Sequence, residues 1–360
     1  MNSFPKDDAL PVELLASCFG DTTNSYKFYW FMAILEETQM GRSRIAYSDL
    51  ALRMISLAWH PLDYYKLSFG KRDHFVVMAK LISAELSLDK RAGAPSIYHQ
   101  ISTHGDAGLK STLLKELLEL LRWVPYRFIR PFFSNELKGL GDGYVNTRVK
   151  RLANDKLGHA PYHFEQNHII VDRNWAEYFR RHHYILLGFS HWHLLKFLQR
   201  NNPNVIGLSE KLTPPNFRKL NNARALWSEF MEIAPVDCIY SGAALNGTRV
   251  SLDHFIPWSY VVHDQLWNLA PTTPKLNSCK GDALPDLPKY FESYCRLQFR
   301  FFCHLKEQKS TFAEDYHQLL KTDVLDEVSE EQFRELLFLE VSTNHRTALG
   351  MGFSKTFTLL

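Results

Sequence analysis

Apolar residues recur at helical spacing over most of the first 135 residues. Each of four segments carries them with the 3.6-residue period of an amphipathic helix, and the last segment stops just before Pro125. Pro61 interrupts the second segment. The predicted helices cover residues 25–40, 46–65, 74–88 and 108–123. We therefore predict a packed helical bundle, without strand–helix alternation and without a glycine-rich phosphate loop.

The pattern becomes mixed beyond residue 140. Residues 162–172 alternate between apolar and polar positions around Gln166-Asn167, which predicts a short β-hairpin. Ser329 and Gln332 have the spacing of a capping box at a helix start. Further helices are predicted over residues 174–203, 216–233, 286–308 and 329–345. The fold class is therefore expected to be mainly α with a small α+β element.

Residues 236–285 depart from the helical pattern. Two β-prone runs, residues 236–240 and 248–254, flank a glycine-containing stretch that suits a chain reversal, so we predict that they pair. An irregular loop follows. Thr273 as N-cap, Pro274 at the first helical position and Gly281 beyond the end then predict a short helix. The expected order is strand, strand, helix.

Polar residues of this segment form a set that suits phosphodiester hydrolysis. Asp253 and His254 lie at the exit of the second strand, and Asn277 and Lys280 share one face of the short helix. A carboxylate and an amide oxygen are ligands that Mg²⁺ accepts, and a neutral imidazole can take a proton from water. Lys280 could neutralise charge on the phosphate. Asn268 is expected to pin the loop through backbone hydrogen bonds.

Composition favours one cellular compartment but does not identify a binding partner. The net charge of +3 neither supports nor excludes nucleic-acid binding, which depends on local patches. Five cysteines without a CxxC pair favour a reducing cytoplasm and argue against a disulfide framework. The N-terminal residues do not have the pattern of a signal peptide, and no apolar run is long enough for a membrane span.

The spacing of these residues resembles a known family. The pattern Asp253-His254-x-x-Pro257, then Asn268-Leu269, then Asn277-x-x-Lys280 resembles the HNH endonucleases with their ββα-metal fold. Residues 277–285 are similar to the end of the HNH nuclease domain in RNA-guided CRISPR effector nucleases. The resemblance implies that Asp253 and Asn277 bind the metal, Mg²⁺ or Mn²⁺, that His254 is the general base, and that Asn268 is structural.

One departure from the family concerns zinc. Many HNH proteins carry CxxC knuckles, but here Cys238 is followed three residues later by Ser241, and Cys279 lacks a sensible spacing. We therefore expect no structural zinc. The predicted domains are a helical domain over residues 1–212 with the hairpin near 162–172, a nuclease module over 213–308 with its core at 236–288, and a C-terminal helical segment over 309–360.

The function predicted is metal-dependent cleavage of DNA, with duplex DNA favoured over RNA, in bacterial restriction or anti-phage defence. A single module nicks one strand, so cutting both requires a homodimer or a second event, and a partner protein is the other expectation. Two alternatives stay open: a nuclease restrained by a partner or signal, and a catalytically inactive nucleic-acid-binding protein. His263, in the same loop, is the competing base, but it lacks an adjacent carboxylate on the strand, which favours a surface or substrate-contacting role for it.

Basic residues near the motif are the predicted contacts to the DNA backbone. A phosphate-binding surface needs exposed Lys and Arg side chains rather than a high total charge. The stretch from 211 to 224 provides four of them, and the module itself provides two more. The predicted contacts are Lys211, Arg218, Lys219, Arg224, Arg249 and Lys275.

Overall fold

The apolar segments form helices in the computed structural model, which describes residues 4–20, 22–71, 73–104, 107–215, 220–322 and 324–359. The chain divides into an N-terminal unit, Met1–Pro203 with Lys211–Pro214, and a C-terminal unit, Asn204–Glu210 with Pro215–Leu360. The predicted domain boundaries at residues 212 and 308 stay predictions. Residues 309–360 lie in the C-terminal unit together with the predicted module.

The N-terminal unit is helical with one small sheet. Its helices are α1 (Val12–Ser17), α2 (Tyr26–Gln39), α3 (Tyr47–Trp59), α4 (Phe75–Glu85), α5 (Ala94–Thr103), α6 (Ala107–Leu120), α7 (Val124–Phe128), α8 (Asp142–Asp155), α9 (Arg173–Arg181) and α10 (His183–Asn201). Its strands are β1 (Arg44–Ala46), β2 (Tyr162–Glu165) and β3 (His168–Val171), in the antiparallel order β1-β3-β2. The hairpin predicted near residues 162–172 is confirmed, and Gln166 takes a positive φ of 44° at its turn.

Helix α2 is the centre of this unit. All residues from Phe28 to Leu35 are buried, so the helix is apolar on every side and not on one face only. A helix of this kind must be surrounded by other elements, and α2 packs against α3, α9 and α10. Within the second predicted helix, the α-helix ends at Trp59, and Pro61 lies in the π-helical turn His60–Tyr64 that directly follows it.

The C-terminal unit holds the remaining elements. They are α11 (Asn221–Ile233), β4 (Ser251–His254), α12 (Trp258–Val261), β5 (Leu269–Thr272), α13 (Pro274–Lys280), β6 (Leu284–Pro285), α14 (Leu287–Glu307), α15 (Glu314–Leu320), α16 (Glu330–Met351) and β7 (Thr356–Phe357). Ser329 caps α16 by accepting the Gln332 N–H, as predicted from the capping box. β6 and β7 pair in parallel.

Helix α14 supports the small β element. The buried Gln298 side chain donates from Nε2 to the Leu269 carbonyl at 2.7 Å, and its Oε1 accepts the Tyr316 hydroxyl at 2.7 Å. The rings of Phe255 and Tyr294 stack with centroids 3.8 Å apart. The strand pair β4–β5 is therefore fixed to a long helix through both polar and aromatic contacts.

The predicted fold class, mainly α with a small α+β element, is confirmed. Within the described ranges, none of the helices has the length and apolar character that crossing a membrane would require.

Candidate active site

A two-stranded sheet with a loop between its strands forms the base of the site. β4 and β5 run antiparallel, so that Asp253 faces Ala270 and His254 faces Leu269 across the pair. The intervening residues 255–268 contain the short helix α12 and a 3₁₀ turn, as an irregular loop. Asp253 and His254 therefore end the first strand of the pair, where the chain turns into the loop.

Helix α13 begins directly after β5, with the signals that the sequence predicted. The side chain of Thr273 accepts the Leu276 N–H, and Pro274 occupies the first helical position. The helix ends at Gly281, which has a φ of 51°, a conformation that glycine adopts without a Cβ penalty. These boundaries put Asn277 and Lys280 on the turn of the helix that packs against β4.

The predicted pairing of residues 236–240 with the strand that carries Asp253 is wrong. Residues 236–245 instead fold back on themselves, with an isolated bridge between Asp237 and Ala244. The partner of β4 is β5, which contains Pro271. Proline is tolerated there because both strands of a two-stranded sheet are edge strands. β5 was not predicted from the sequence.

Asp253 is buried and is held by two donors. Its Oδ2 accepts the Tyr240 hydroxyl at 2.6 Å, and Lys280 Nζ lies 3.1 Å from Oδ2 and 3.3 Å from Oδ1. Burial, together with the Asp253 carboxylate, raises the pKa of Tyr240 well above its usual value, so this phenol remains a donor. A carboxylate has about four lone-pair positions. Asp253 therefore retains acceptor capacity for a further cation.

Lys280 is turned inward onto the strand. Its Nζ donates to the His254 carbonyl at 2.6 Å in addition to contacting Asp253, and the side chain is buried. A buried ammonium whose counter-ion is a buried carboxylate is placed to hold the end of β4. This geometry does not favour the predicted role of Lys280 in neutralising charge on a phosphate.

His254 has a carboxylate partner in the loop. Its Nε2 lies 2.8 Å from Oδ1 of Asp264, with the histidine side chain 4% exposed and the aspartate side chain 32% exposed. His263, the neighbour of Asp264, is half-buried and its Nδ1 accepts the Gln265 N–H at 3.4 Å. The side-chain carboxylate of Asp264 therefore contacts the His254 ring.

Asn268 closes the loop at its base. Its Oδ1 accepts the Ile256 N–H at 2.8 Å and its Nδ2 donates to the Ile256 carbonyl at 2.9 Å. The Phe255 N–H donates to the Asn268 carbonyl at 2.8 Å. Because Asn268 is fully buried, these bonds satisfy polar groups that water cannot reach. The side chain thus makes the backbone hydrogen bonds that a loop-pinning role requires.

Asn277 and Asp253 provide oxygen atoms suited to a hard divalent ion. Asn277 Nδ2 donates to Ser251 Oγ at 2.7 Å and to the Leu252 carbonyl at 3.0 Å, which leaves Oδ1 as its ligating atom. Among the described residues, no group of three or more His, Cys, Asp and Glu side chains could hold a metal ion. Mg²⁺ is commonly held by one or two protein oxygens with waters and substrate phosphates. The donor set therefore fits Mg²⁺ or Mn²⁺ in kind.

Comparison with known proteins identifies this segment. A family model described as HNH endonuclease matches residues 238–286. This segment is similar to HNH endonucleases and is called the HNH domain below. The resemblance expected from the sequence is thereby confirmed for this segment, and the domain supports nuclease activity in general. The further likeness to CRISPR effector nucleases stays a prediction. No curated protein and no solved structure gives a significant match to the chain.

The predicted DNA contacts differ in where the structure places them. Arg224, on α11, and Arg249 and Lys275, within the HNH domain, are exposed. Lys211 is buried, and burial lowers the pKa of its ammonium to about 7. A buried ammonium does not meet a phosphate, so Lys211 is excluded from the predicted contacts. Two further predicted contacts, Arg218 and Lys219, lie outside the described residues.

Two residues of the HNH domain site escaped the sequence reasoning. Tyr240 lies 13 positions before the carboxylate that it contacts, and Asp264 lies 10 positions after the imidazole that it contacts. A tyrosine in a β-prone run and an aspartate in a polar loop have ordinary structural explanations. The one available signal was Asp264 itself, an acidic residue in the loop that follows His254.

Proposed function

We propose that the HNH domain hydrolyses phosphodiester bonds in DNA with a divalent ion, Mg²⁺ or Mn²⁺, held by Asp253 and Asn277. The observation that carries the proposal is that α13 packs on the end of β4, where Asn277 bonds to Ser251 and Lys280 bonds to Asp253 and the His254 carbonyl, inside the segment that matches the HNH family. A carboxylate, an amide and an imidazole together supply the ligands and the base that the reaction needs.

His254 is the proposed general base. Imidazole is suited to accept a proton near neutral pH, and the proton comes here from the water that attacks phosphorus. The hydrogen bond to Asp264 keeps the ring from rotating, and Lys280 fixes the backbone carbonyl of the same residue. A base held in this way accepts the proton without first reorienting.

The remaining residues of the site prepare it for substrate. The ion, when bound, would supply positive charge at the phosphate and at the leaving oxygen. Lys280 and Tyr240 hold the Asp253 carboxylate in one orientation. Asn268 fixes the first loop residues after the strand, which gives the end of β4 a rigid support.

DNA is the proposed substrate. Arg224, Arg249 and Lys275 are exposed cations of the C-terminal unit and are the proposed contacts to phosphates, which position nucleic acid without reading its sequence. A single site of this kind would nick one strand, so cleavage of both strands would require a homodimer or two events. A role in bacterial restriction or anti-phage defence stays a prediction.

A restrained nuclease is the second candidate, and one observation favours it. Lys280 already supplies a buried counter-ion to Asp253, so the incoming metal does not meet an uncompensated carboxylate. Metal affinity of the isolated protein would then be weak until a partner or a signal moves the Lys280 ammonium away from Asp253. Under this alternative, DNA cleavage would appear only with a partner or a signal.

Cleavage of a supercoiled plasmid tests the proposal. Purified protein with Mg²⁺ or Mn²⁺ is expected to produce nicked circles, and EDTA is expected to stop the reaction. His254→Ala should slow cleavage by about 10²–10⁴-fold, which is the usual contribution of a general base. His263→Ala is the matched control from the same loop and should cleave within a few-fold of the wild type.

The outcomes separate the candidates. Cleavage that is lost with EDTA and in His254→Ala supports the proposal. An equal loss of cleavage in His263→Ala would mean that His254 is not the distinct general base. An inactive wild type that gains activity with a partner would favour the restrained nuclease, and an inactive wild type that binds DNA but no metal would favour the inactive binding protein.

A further inference from the structure

We infer that Asp264 is a positioning residue for His254: its carboxylate holds the imidazole in one orientation, with the proton of the neutral ring on Nε2. The catalytic meaning of this inference rests on the proposed function. The tautomer itself is a property of the folded chain and can be measured whether or not the protein cleaves DNA.

The contact between the two side chains is short and partly shielded from water. Nε2 of His254 and Oδ1 of Asp264 are 2.8 Å apart, and the histidine side chain is only 4% exposed. A carboxylate accepts hydrogen bonds and does not donate them. The neutral ring must therefore carry its N–H on Nε2, because the other tautomer would point a lone pair at a carboxylate oxygen.

The loop that delivers Asp264 is held in an unusual conformation two residues earlier. Val262 ends α12 with a φ of 51°, a left-handed conformation that is costly for a β-branched residue. Gly207 lies against it so closely that a Cβ on this glycine would be 2.2 Å from Val262 Cγ2. Such strain persists only where the surrounding structure enforces it, and it is common at functional sites.

The loop is also anchored immediately after Asp264. The Leu266 N–H donates to Oδ2 of Asp315 at 2.9 Å, and the Trp267 indole donates to Oε1 of Gln265 at 2.7 Å. With the strained residue on one side and these bonds on the other, the Asp264 carboxylate has little freedom to leave the imidazole. Its position is a built feature of the loop and not an incidental surface contact.

The ¹⁵N chemical shifts of the His254 ring show which nitrogen carries the proton. Ring ¹⁵N shifts of His254, measured near pH 8.5 and assigned by their loss in His254→Gln, are expected to show the Nε2–H tautomer in the wild type. In Asp264→Asn the amide can donate to Nε2, so we expect the N–H to move to Nδ1. In Asp264→Ala the preference should weaken to a mixture. Glu229→Ala, an exposed carboxylate on α11, is the matched control and should leave the shifts unchanged.

Plasmid cleavage supplies the second measurement on the same variants. Asp264→Ala and Asp264→Asn should each slow nicking by about 10- to 100-fold, as is usual for residues that orient a functional histidine. Circular dichroism and the unfolding temperature identify any variant that fails to fold, and only folded variants are compared. Glu229→Ala should nick DNA at the wild-type rate.

Several results would overturn the inference. A wild-type ring protonated on Nδ1 would do so, as would a tautomer that stays on Nε2 in both Asp264 variants. Slower cleavage with an unchanged tautomer would also count against it, because Asp264 would then act by another route. A wild type that does not cleave DNA but shows the predicted tautomers would defeat the proposed function and leave this inference standing.

Discussion

Each of the two units buries a carboxylate against a cation, and the two arrangements differ. In the N-terminal unit, Arg53 grips Oε1 of Glu37 with Nε at 3.1 Å and Nη2 at 2.6 Å, and Arg42 holds Oε2 at 2.8 Å. In the HNH domain, Asp253 is held by one lysine ammonium and one tyrosine hydroxyl. Both carboxylates are shielded from solvent.

The difference lies in what the cations leave for a ligand. Two guanidinium groups present rigid, planar donors that occupy both oxygens of Glu37. A lysine is a compact point charge on a flexible stem, which can shift by a small distance. The first arrangement is suited to hold α2 and α3 together. The second can hold an oxygen ligand in place and still admit a metal ion.

Removing the cation from each pair should give the largest effects. Arg53→Met and Lys280→Met each leave a buried carboxylate with fewer partners, and breaking such a pair costs about 3–5 kcal/mol of the free energy of unfolding. We expect losses of this size by urea unfolding without divalent ions. With Mg²⁺ present, Lys280→Met should recover part of its stability, because the ion replaces the missing charge.

Arg53→Met is the control for that recovery. Glu37 faces helices and not a substrate cleft, so Mg²⁺ should not restore the stability of its variant. Equal stabilisation of both variants by Mg²⁺ would remove the distinction between the two carboxylates. An absence of any Mg²⁺ effect on Lys280→Met would count against Asp253 as a metal ligand.

Neutral isosteres of the two carboxylates test the comparison through plasmid nicking. Asp253→Asn removes the charge that attracts the ion and should reduce plasmid nicking by about 100-fold or more, since the ion supplies several kcal/mol of charge stabilisation. Glu37→Gln makes the matching change in the other unit and should nick at the wild-type rate when assayed below its unfolding temperature. Comparable loss in both variants would mean that destabilisation, and not loss of a ligand, explains the effect.

A third buried carboxylate has neutral donors as its close partners. Asp73, in the N-terminal unit, accepts hydrogen bonds from Ser25 Oγ at 2.8 Å and from the Phe75 N–H at 2.9 Å. Burial raises its pKa from 3.8 to about 6, although these hydrogen bonds oppose the shift. Between pH 3.8 and about 6, the Asp73 carboxyl is therefore protonated in a larger fraction of folded molecules than of unfolded molecules.

The smallest expected effect follows from that shift. Stability from protonated Asp73 is present below pH 3.8 and is lost as the pH rises through about 6, a change of about 3 kcal/mol. Asp73→Asn avoids burying the charge but loses one acceptor, so we expect a gain of about 1–2 kcal/mol at pH 7.5. Urea unfolding at pH 7.5 and pH 4.5 measures it, and a gain of equal size at both values would contradict the assignment.

Most of the helical framework and part of the site were predictable from the sequence. The helix of Thr273, Pro274 and Gly281 was predicted with its caps, because capping depends on residues only a few positions apart. The strand pairing of the site was not, because β5 carries a proline and its partner lies beyond a 14-residue loop. Pairing over such a distance depends on which faces can be buried, and the local pattern does not contain that information.

The sequence by itself determined the helices, the hairpin turn at Gln166-Asn167, and a set of polar residues whose spacing is that of the HNH family. These features depend on neighbours a few residues apart or on a fixed spacing. Only the tertiary structure decided that Lys280 turns inward onto Asp253 and that Asp264 meets His254. Charge and hydrogen bonding act over a few ångströms in space, and the sequence alone does not show which distant side chains come within that range.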